Sequence, residues 1–300
     1  MRVKQKYYCG TIVIVGKPNA GKSTIINSLV KTKVSIVSKR PHTTQCDIIG
    51  IQNDGLFQAI YIDTPGISYK HFNVNNVIEK CYINKLCNNA TLILFVLDGI
   101  TWTSEDNLIL NLVKHNTIPV IAVINKNDKI LQKNNLLPYI ESLRKKKLFE
   151  EIVPISGKTG ENIHLLSKLV QALLPISKIR FPTTQKTSYN LYFKVQEIIR
   201  EKFIFYLGEE VSYSIRIIVE SICFKEKKMY VIKALIVVKN NQHKQIIVGK
   251  KGTKIKFCGT LARQELEKYF KHKVYLSLFV KKDNKKYQVY NVHQKKFLQK

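Results

Sequence analysis

The stretch "TIVIVGKPNAGKSTIINSL" at residues 11–29 decides how the rest of the chain is read. It opens with five β-branched residues, the composition of a strand buried on both faces. Gly16-Lys17-Pro18-Asn19-Ala20-Gly21-Lys22-Ser23 then fits G-x-x-x-x-G-K-[ST], and the pattern predicts a helix opening on Lys22. A loop that wraps phosphate oxygens must turn its backbone N–H groups inward, which glycine allows without steric penalty, and the helix N-terminus behind it adds partial positive charge. Lys22 is expected to reach the β and γ phosphates, and the Ser23 hydroxyl to bind Mg²⁺. A chance glycine-rich turn is the alternative, but the strand before the loop and the helix after it are the context the motif requires.

Working outward, short apolar runs recur at 47–51 ("DIIGI"), 57–63 ("FQAIYID"), 91–98 ("TLILFVLD"), 120–125 ("VIAVIN") and 151–156 ("EIVPIS"). Helix-period stretches at 104–115, 136–147 and 161–173 separate most of them, the form of a mostly parallel sheet covered on both faces. The 47–63 pair is the exception, because "NDGL" reads as a tight hairpin turn and so makes one antiparallel edge strand. The first domain is expected to be α/β over residues 1–175.

"NKND" at 125–128 ends one of these strands, where ligands bind in open α/β sheets. Asp128 can accept two hydrogen bonds from the guanine ring N–H and exocyclic amine, a pair adenine lacks, so the expected nucleotides are GTP and GDP. Asn125 is expected to tie this loop to the phosphate loop and Lys126 to pack along the base, with Asn127 in the same contact run. "DTPG" at 63–66 closes another strand; Asp63 would hold Mg²⁺ through water and the Gly66 N–H would meet the γ-phosphate, with Thr64, Pro65 and Ile67 in the same loop. "RPHTT" at 40–44 lies where a loop could bring a threonine hydroxyl to the metal, Thr44 rather than Thr43, while His42 reads as a solvated loop residue. Lys22, Thr44 and Gly66 are the expected catalytic groups. Ile67 cannot orient a water by hydrogen bonding, so slow intrinsic hydrolysis is expected, with acceleration by an RNA or protein partner or a bound cation. Asn19 is the candidate ligand for K⁺.

"LPISKIRFPTTQKTS" at 174–188, with its prolines and Thr/Ser run, breaks this rhythm, and residues 176–189 are read as a linker. The order after it is helix (191–206), strand (212–222), strand (228–238), helix, helix (253–270) and strand (273–281), an α+β domain over 190–300. Charge divides unevenly: 22 Lys+Arg against 12 Asp+Glu over residues 1–175, but 28 against 9 over 176–300, out of a net +29. Lysine enrichment of the kind seen in AT-rich genomes explains part of the total and little of the clustering, which points to a polyanionic partner for the C-terminal half. Within it, Gly249-Lys250-Lys251-Gly252 joins two helices. A G-x-x-G connection lets a nucleic-acid backbone approach because no Cβ stands in the way, and Lys254, Lys256 and Arg263 fall one to three turns onward. Ile247, Ile255 and Phe257 are expected to pack the domain, with the floor of a groove on which bases lie as the alternative for some of them. Taken alone, G-x-x-G is also the form of a plain helix–turn–helix corner.

Six cysteines without a C-x-x-C pair or zinc-like spacing read as reduced thiols. The N-terminal "MRVKQKYYCG" offers no apolar leader, and the longest apolar stretch, "LILFVL" at 92–97, is far short of the roughly 20 residues of a spanning helix. A cytoplasmic location is expected. No second phosphate loop or internal repeat is visible, which argues against tandem-domain GTPases.

"GKPNAGKSTIINSL", "RPHTTQ", "AIYIDTPG", "NKND", "EIIREKFIFYLGEEVSYS" and "QHKQIIVGKKGTKIKFCGTLAR" together resemble the Era family of bacterial GTPases, over nearly the full chain. The resemblance implies a P-loop GTPase domain followed by a type II KH domain. It also implies binding near the 3′ end of small-subunit rRNA, a role in maturation of the 30S subunit, and GTP favouring the RNA-competent arrangement. Such proteins are cytoplasmic with peripheral contact to the inner membrane, and a monomer is expected. The guanine-proximal loop of the family, usually Ser-Ala-Lys, corresponds to Ser156-Gly157-Lys158, whose backbone N–H groups would serve the base. Gln45 stands in place of an arginine, Ser212 in place of a proline, and "KKDNKKYQVY" lacks a tryptophan.

Overall fold

The computed structural model describes residues 6–35, 48–64, 85–114, 117–130, 132–188, 190–207, 215–225 and 228–283. The chain divides into two compact units, Met1–Ser188 and Tyr189–Lys300.

In the first unit, β1 (Tyr8–Gly16), β2 (Ile48–Asp54), β3 (Phe57–Asp63), β4 (Leu92–Asp98), β5 (Val120–Asn125) and β6 (Glu151–Pro154) form one sheet in the order β2-β3-β1-β4-β5-β6. All pairings are parallel except β2 with β3, which meet through the expected hairpin at Gly55 and Leu56. Gly55 takes φ 56°, a left-handed conformation that suits glycine in a two-residue turn. Every residue of β5, and all but the last of β4, is buried. Such strands need cover on both faces, which α1 (Lys22–Val30), α2 (Ser104–Val113), α3 (Leu136–Arg144) and α4 (Ile163–Ala172) supply. Each Ile or Val placed in this interior contributes about 1.5–3 kcal/mol. The helices end up to a turn earlier than periodicity suggests; α3 stops at Arg144, and Lys147 beyond it is left-handed (φ 51°).

The topology fixes where chemistry can sit. β1 lies between β3 and β4, so the chain leaves its C-terminal end toward one side while its neighbours leave toward the other. That divergence opens a crevice at the strand ends, and Gly16, Asp63, Asp98, Asn125 and the residues after Pro154 all emerge there.

The segment expected as a linker is not slack. Cys9 N–H donates to the Pro175 carbonyl (3.1 Å), Ser177 N–H to Tyr7 (2.9 Å) and Ile51 N–H to Lys186 (2.9 Å). The buried Gln58 amide accepts from the Arg180 and Phe181 N–H groups (2.8 and 3.0 Å) and donates to the Phe181 carbonyl (2.8 Å). Residues 175–187 therefore lie along β1, β3 and β2 as part of the first unit. A polar core residue, Gln58, is what holds them, and composition alone carries no sign of it.

In the second unit α5 (Leu191–Tyr206) is followed by β7 (Arg216–Lys225), β8 (Met229–Val238), α6 (Asn241–Val248), α7 (Thr253–Phe270) and β9 (Lys273–Lys282). β8 pairs antiparallel with β7 and parallel with β9. β7 extends to Lys225, three residues past the expected end, and carries a bulge between Val219 and Ser221. α5 packs on β7, and α7 on β9 and α5, around a core that includes Ile199, Phe203, Ile236, Ile247 and Leu266.

Candidate functional site

The phosphate loop is closed by its own lysine. The buried Lys22 Nζ donates to the Gly16 and Lys17 carbonyls, each at 2.9 Å. Burial pushes the Lys22 ammonium down to about 8, because a charge taken out of water is disfavoured. The residue capping α1 is Gly21, so no side chain satisfies the first-turn N–H groups, and no acidic residue lies in that turn. The end of the helix is thus left to an anion. Gly21 sits at φ 97°, and a Cβ there would fall 2.1 Å from Asn125 Nδ2. At Gly16 a Cβ would fall 2.5 Å from the Val96 carbonyl oxygen. Both glycines of the motif are demanded by close approach as well as by dihedral angle.

Asn125 ties three loops together. Its Nδ2 donates to the Ala20 carbonyl (2.7 Å) and its Oδ1 accepts from Gly157 N–H (3.0 Å). Ser156 Oγ donates to Asp128 Oδ1 at 2.6 Å, which holds that carboxylate below its usual range. Asn127 donates to Glu161 Oε1 (2.6 Å), and Lys126, left-handed at φ 64°, pairs with Asp98 at 2.7 Å. Asp128 itself is exposed, facing outward beside Lys158. The Asp128 carboxylate and the long aliphatic chain of Lys126 form a slot for a planar base with two donors on one edge, while the Gly157 N–H is spent on Asn125.

At the metal end, Ser23 Oγ and Ser35 Oγ both donate to Asp63 Oδ2, at 2.6 and 2.9 Å. A hydroxyl and a carboxylate in contact are hard oxygen donors of the kind Mg²⁺ takes alongside phosphate. Among the described residues no group of three His, Cys, Asp or Glu could hold a metal unaided. Thr64 spends its hydroxyl on the Ile14 carbonyl (2.7 Å), joining the ends of β3 and β1. No nucleotide-binding motif flags Ser35 or Asp106. Asp106 is fully buried at the start of α2, where it accepts from Thr103 N–H and hydroxyl (2.8 and 2.7 Å), and it lies 3.7 Å from Lys17 Nζ. The signal for it is the T-x-x-D capping pattern at 103–106. His42, Thr43, Thr44, Gln45, Pro65, Gly66, Ile67 and Ser212, and the tail beyond Asp283, lie outside the described residues.

In the second unit Gly249 (φ 73°), Lys251 (φ 50°) and Gly252 (φ 78°) turn sharply between α6 and α7. Nothing lies within 4 Å of a Cβ built on Gly252, so the turn faces open space. Lys250, Lys251, Lys254 and Lys256 are exposed around it. Arg263 is set apart: its guanidinium bonds Glu267 at 2.9 Å, and the Val274 N–H, with help from Arg263, holds Glu267 below its usual range. Ile247 and Ile255 pack the core as expected, but Phe257 is half exposed and meets Tyr206 edge-on at 4.9 Å.

Comparison with known proteins bears on both units. Residues 11–126 match a family model described as a 50S ribosome-binding GTPase, and residues 210–286 match the KH domain. GTPase Era of Buchnera aphidicola subsp. Baizongia pistaciae is 53% identical over 287 residues, covering 94% of this chain and 99% of the relative. GTPase Era of Histophilus somni (strain 129Pt) is 41% identical over 286 residues, 93% of each. A crystal structure of a point variant of Aquifex aeolicus Era bound to GDP·AlF₄⁻ matches with a TM-score of 0.85 at 39% identity, over 93% of this chain and 95% of that one. A further Era crystal structure, with the same scores and coverage, is in complex with MgGDPNP and nucleotides 1506–1542 of 16S ribosomal RNA.

Proposed function

The chain belongs to the Era family of GTPases, and from that premise we propose that it is a switch whose nucleotide state governs binding to the 3′ end of small-subunit rRNA during 30S subunit maturation. It is a GTPase built from a P-loop domain and a KH domain. The observation that carries the nucleotide reading is the Asn125 junction, which couples the phosphate loop to both base-facing loops through protein hydrogen bonds.

In this reading residues 16–23 wrap the phosphates, with Lys22 exchanging its two carbonyl partners for β and γ oxygens. Asp128 accepts from guanine, while Asn127, Ser156, Gly157 and Lys158 frame it. Mg²⁺, held by Ser23 and Thr44 with Asp63 acting through water, would neutralise charge developing between the β and γ phosphates. The Gly66 N–H meets the γ-phosphate. Ile67 leaves the attacking water unoriented by a side chain, so intrinsic turnover is slow until a partner or a K⁺ ion at Asn19 assists. In the KH domain the Gly249–Gly252 turn admits the RNA backbone, and Lys250, Lys251, Lys254 and Lys256 meet phosphates, with Arg263 further along α7.

The test is filter binding of GTP-analogue-loaded and GDP-loaded protein to rRNA 3′-end fragments at several salt concentrations, with turnover measured in K⁺ and Na⁺. Tighter binding in the GTP-analogue state supports the switch. Equal affinity in both states, or no preference over an unrelated RNA, would sink it.

A further inference from the structure

At the end of the second unit away from the Gly249–Gly252 turn, the β7–β8 hairpin meets the turn between α7 and β9. Tyr230 stacks on Phe270 with ring centroids 4.1 Å apart, and Phe224 tilts against Tyr230 at 4.7 Å. His272 stands edge-on to Phe224 at 5.3 Å, and Tyr269 edge-on to Phe270 at 5.2 Å. The cluster has two layers. Tyr230 and Phe270 pack against the core, whereas Phe224 (53% exposed), Tyr269 (48%) and His272 stand in solvent. Sealing the core needs only the inner pair.

The surround is basic. Lys225, Lys228, Lys268, Lys271 and Lys273 are exposed, and among the described residues none of them is ion-paired. Over 224–230 and 268–275 the sequence has six lysines and one acidic residue, Glu226, which with Lys227 lies outside the described residues. The adjacent Glu267 is already satisfied by Arg263 and the Val274 N–H.

Contiguous exposed rings among unpaired ammonium groups suit a polyanion that carries flat, stackable faces, which is the chemistry of single-stranded nucleic acid. α7 has 18 residues and so spans about 27 Å, which separates this tip from the Gly249–Gly252 turn. We propose that the tip is a second RNA contact, taking unpaired bases that flank the segment held at the Gly249–Gly252 turn. Bases stack on Phe224, Tyr269 and His272, and the lysines meet phosphates. This rests on the reading of the second unit as an RNA binder.

The full chain is titrated with a short 3′-end rRNA fragment of about 8 nucleotides and an unpaired one of about 20. F224A/Y269A should bind the short RNA as wild type does and the long RNA about tenfold more weakly. K268E/K271E, which keeps the rings, should give the same pattern and lower the salt slope on the long RNA by about 1.4. Unchanged long-RNA binding in both variants overturns the second contact, as does equal weakening on both RNAs. Wild type binding neither RNA overturns the RNA reading itself, a distinct result. Vesicles of phosphatidylcholine with phosphatidylserine form the last arm. If the variants lose vesicle binding while long-RNA affinity holds, the tip is a lipid contact and the inference fails.

Discussion

Lys22 shows how folding sets the charge state of a single residue. Desolvation on burial weakens the hold of its amine on the proton, more than the nearby acidic groups strengthen it, so between about pH 8 and 10.5 it is partly neutral. Phosphate oxygens would restore the charge, so nucleotide binding should take up protons in that window and weaken as pH rises through it. Calorimetry at pH 8.5 in buffers of different ionisation enthalpy should show uptake of roughly 0.7 proton. Lys22→Met should abolish that uptake and lower GTP affinity about a hundredfold; unchanged affinity would remove Lys22 from the phosphates. Asp128→Asn should shift preference toward xanthosine nucleotides, with GTP binding falling about a hundredfold or more in competition assays. Both residues are legible from motif. Ser156, whose hydroxyl donates to Asp128 and lowers the pKa of that carboxyl, enters only through family likeness, because a hydroxyl 28 positions away leaves no local signal.

The elements show the same divide. The strands and the helix pattern could be read from periodicity, since buried strands and half-buried helices differ in where apolar residues recur, and the antiparallel edge from its turn residues; the order of the strands in the sheet could not. Periodicity cannot see an element reaching sideways. α2 carries Asp106, which caps its own first turn and faces Lys17 of the phosphate loop, with both side chains nearly shut off from water. A double-mutant cycle of Lys17→Met and Asp106→Asn, read by urea denaturation, should give a coupling of about 1 kcal/mol or more. Additive effects would mean that the two merely lie close. The motif alone places Lys17 in the phosphate loop; the brace behind it needs coordinates.

At the scale of the whole molecule the chain separates its tasks. The second half carries about two thirds of the excess positive charge, and the open Gly252 turn lies in that half. Gly252→Asp should weaken RNA binding at least tenfold and leave GTP affinity intact, measured side by side on one preparation. Loss of both would argue against separate sites. The change from one fold to the next is visible in the sequence, but the fate of the residues joining them is not. Pro and Thr/Ser composition says that regular structure stops; it does not say whether the irregular chain beyond is bonded. The segment carries Lys178, Arg180 and Lys186, each with an exposed side chain that trypsin would accept. Cleavage, however, requires the protease to draw the backbone into its own cleft as an extended strand. Here the main chain around these residues is already bonded through Ser177, Arg180, Phe181 and Lys186. Brief digestion should spare all three peptide bonds, and early fragments starting at Ile179, Phe181 or Thr187 would show that the seam comes undone.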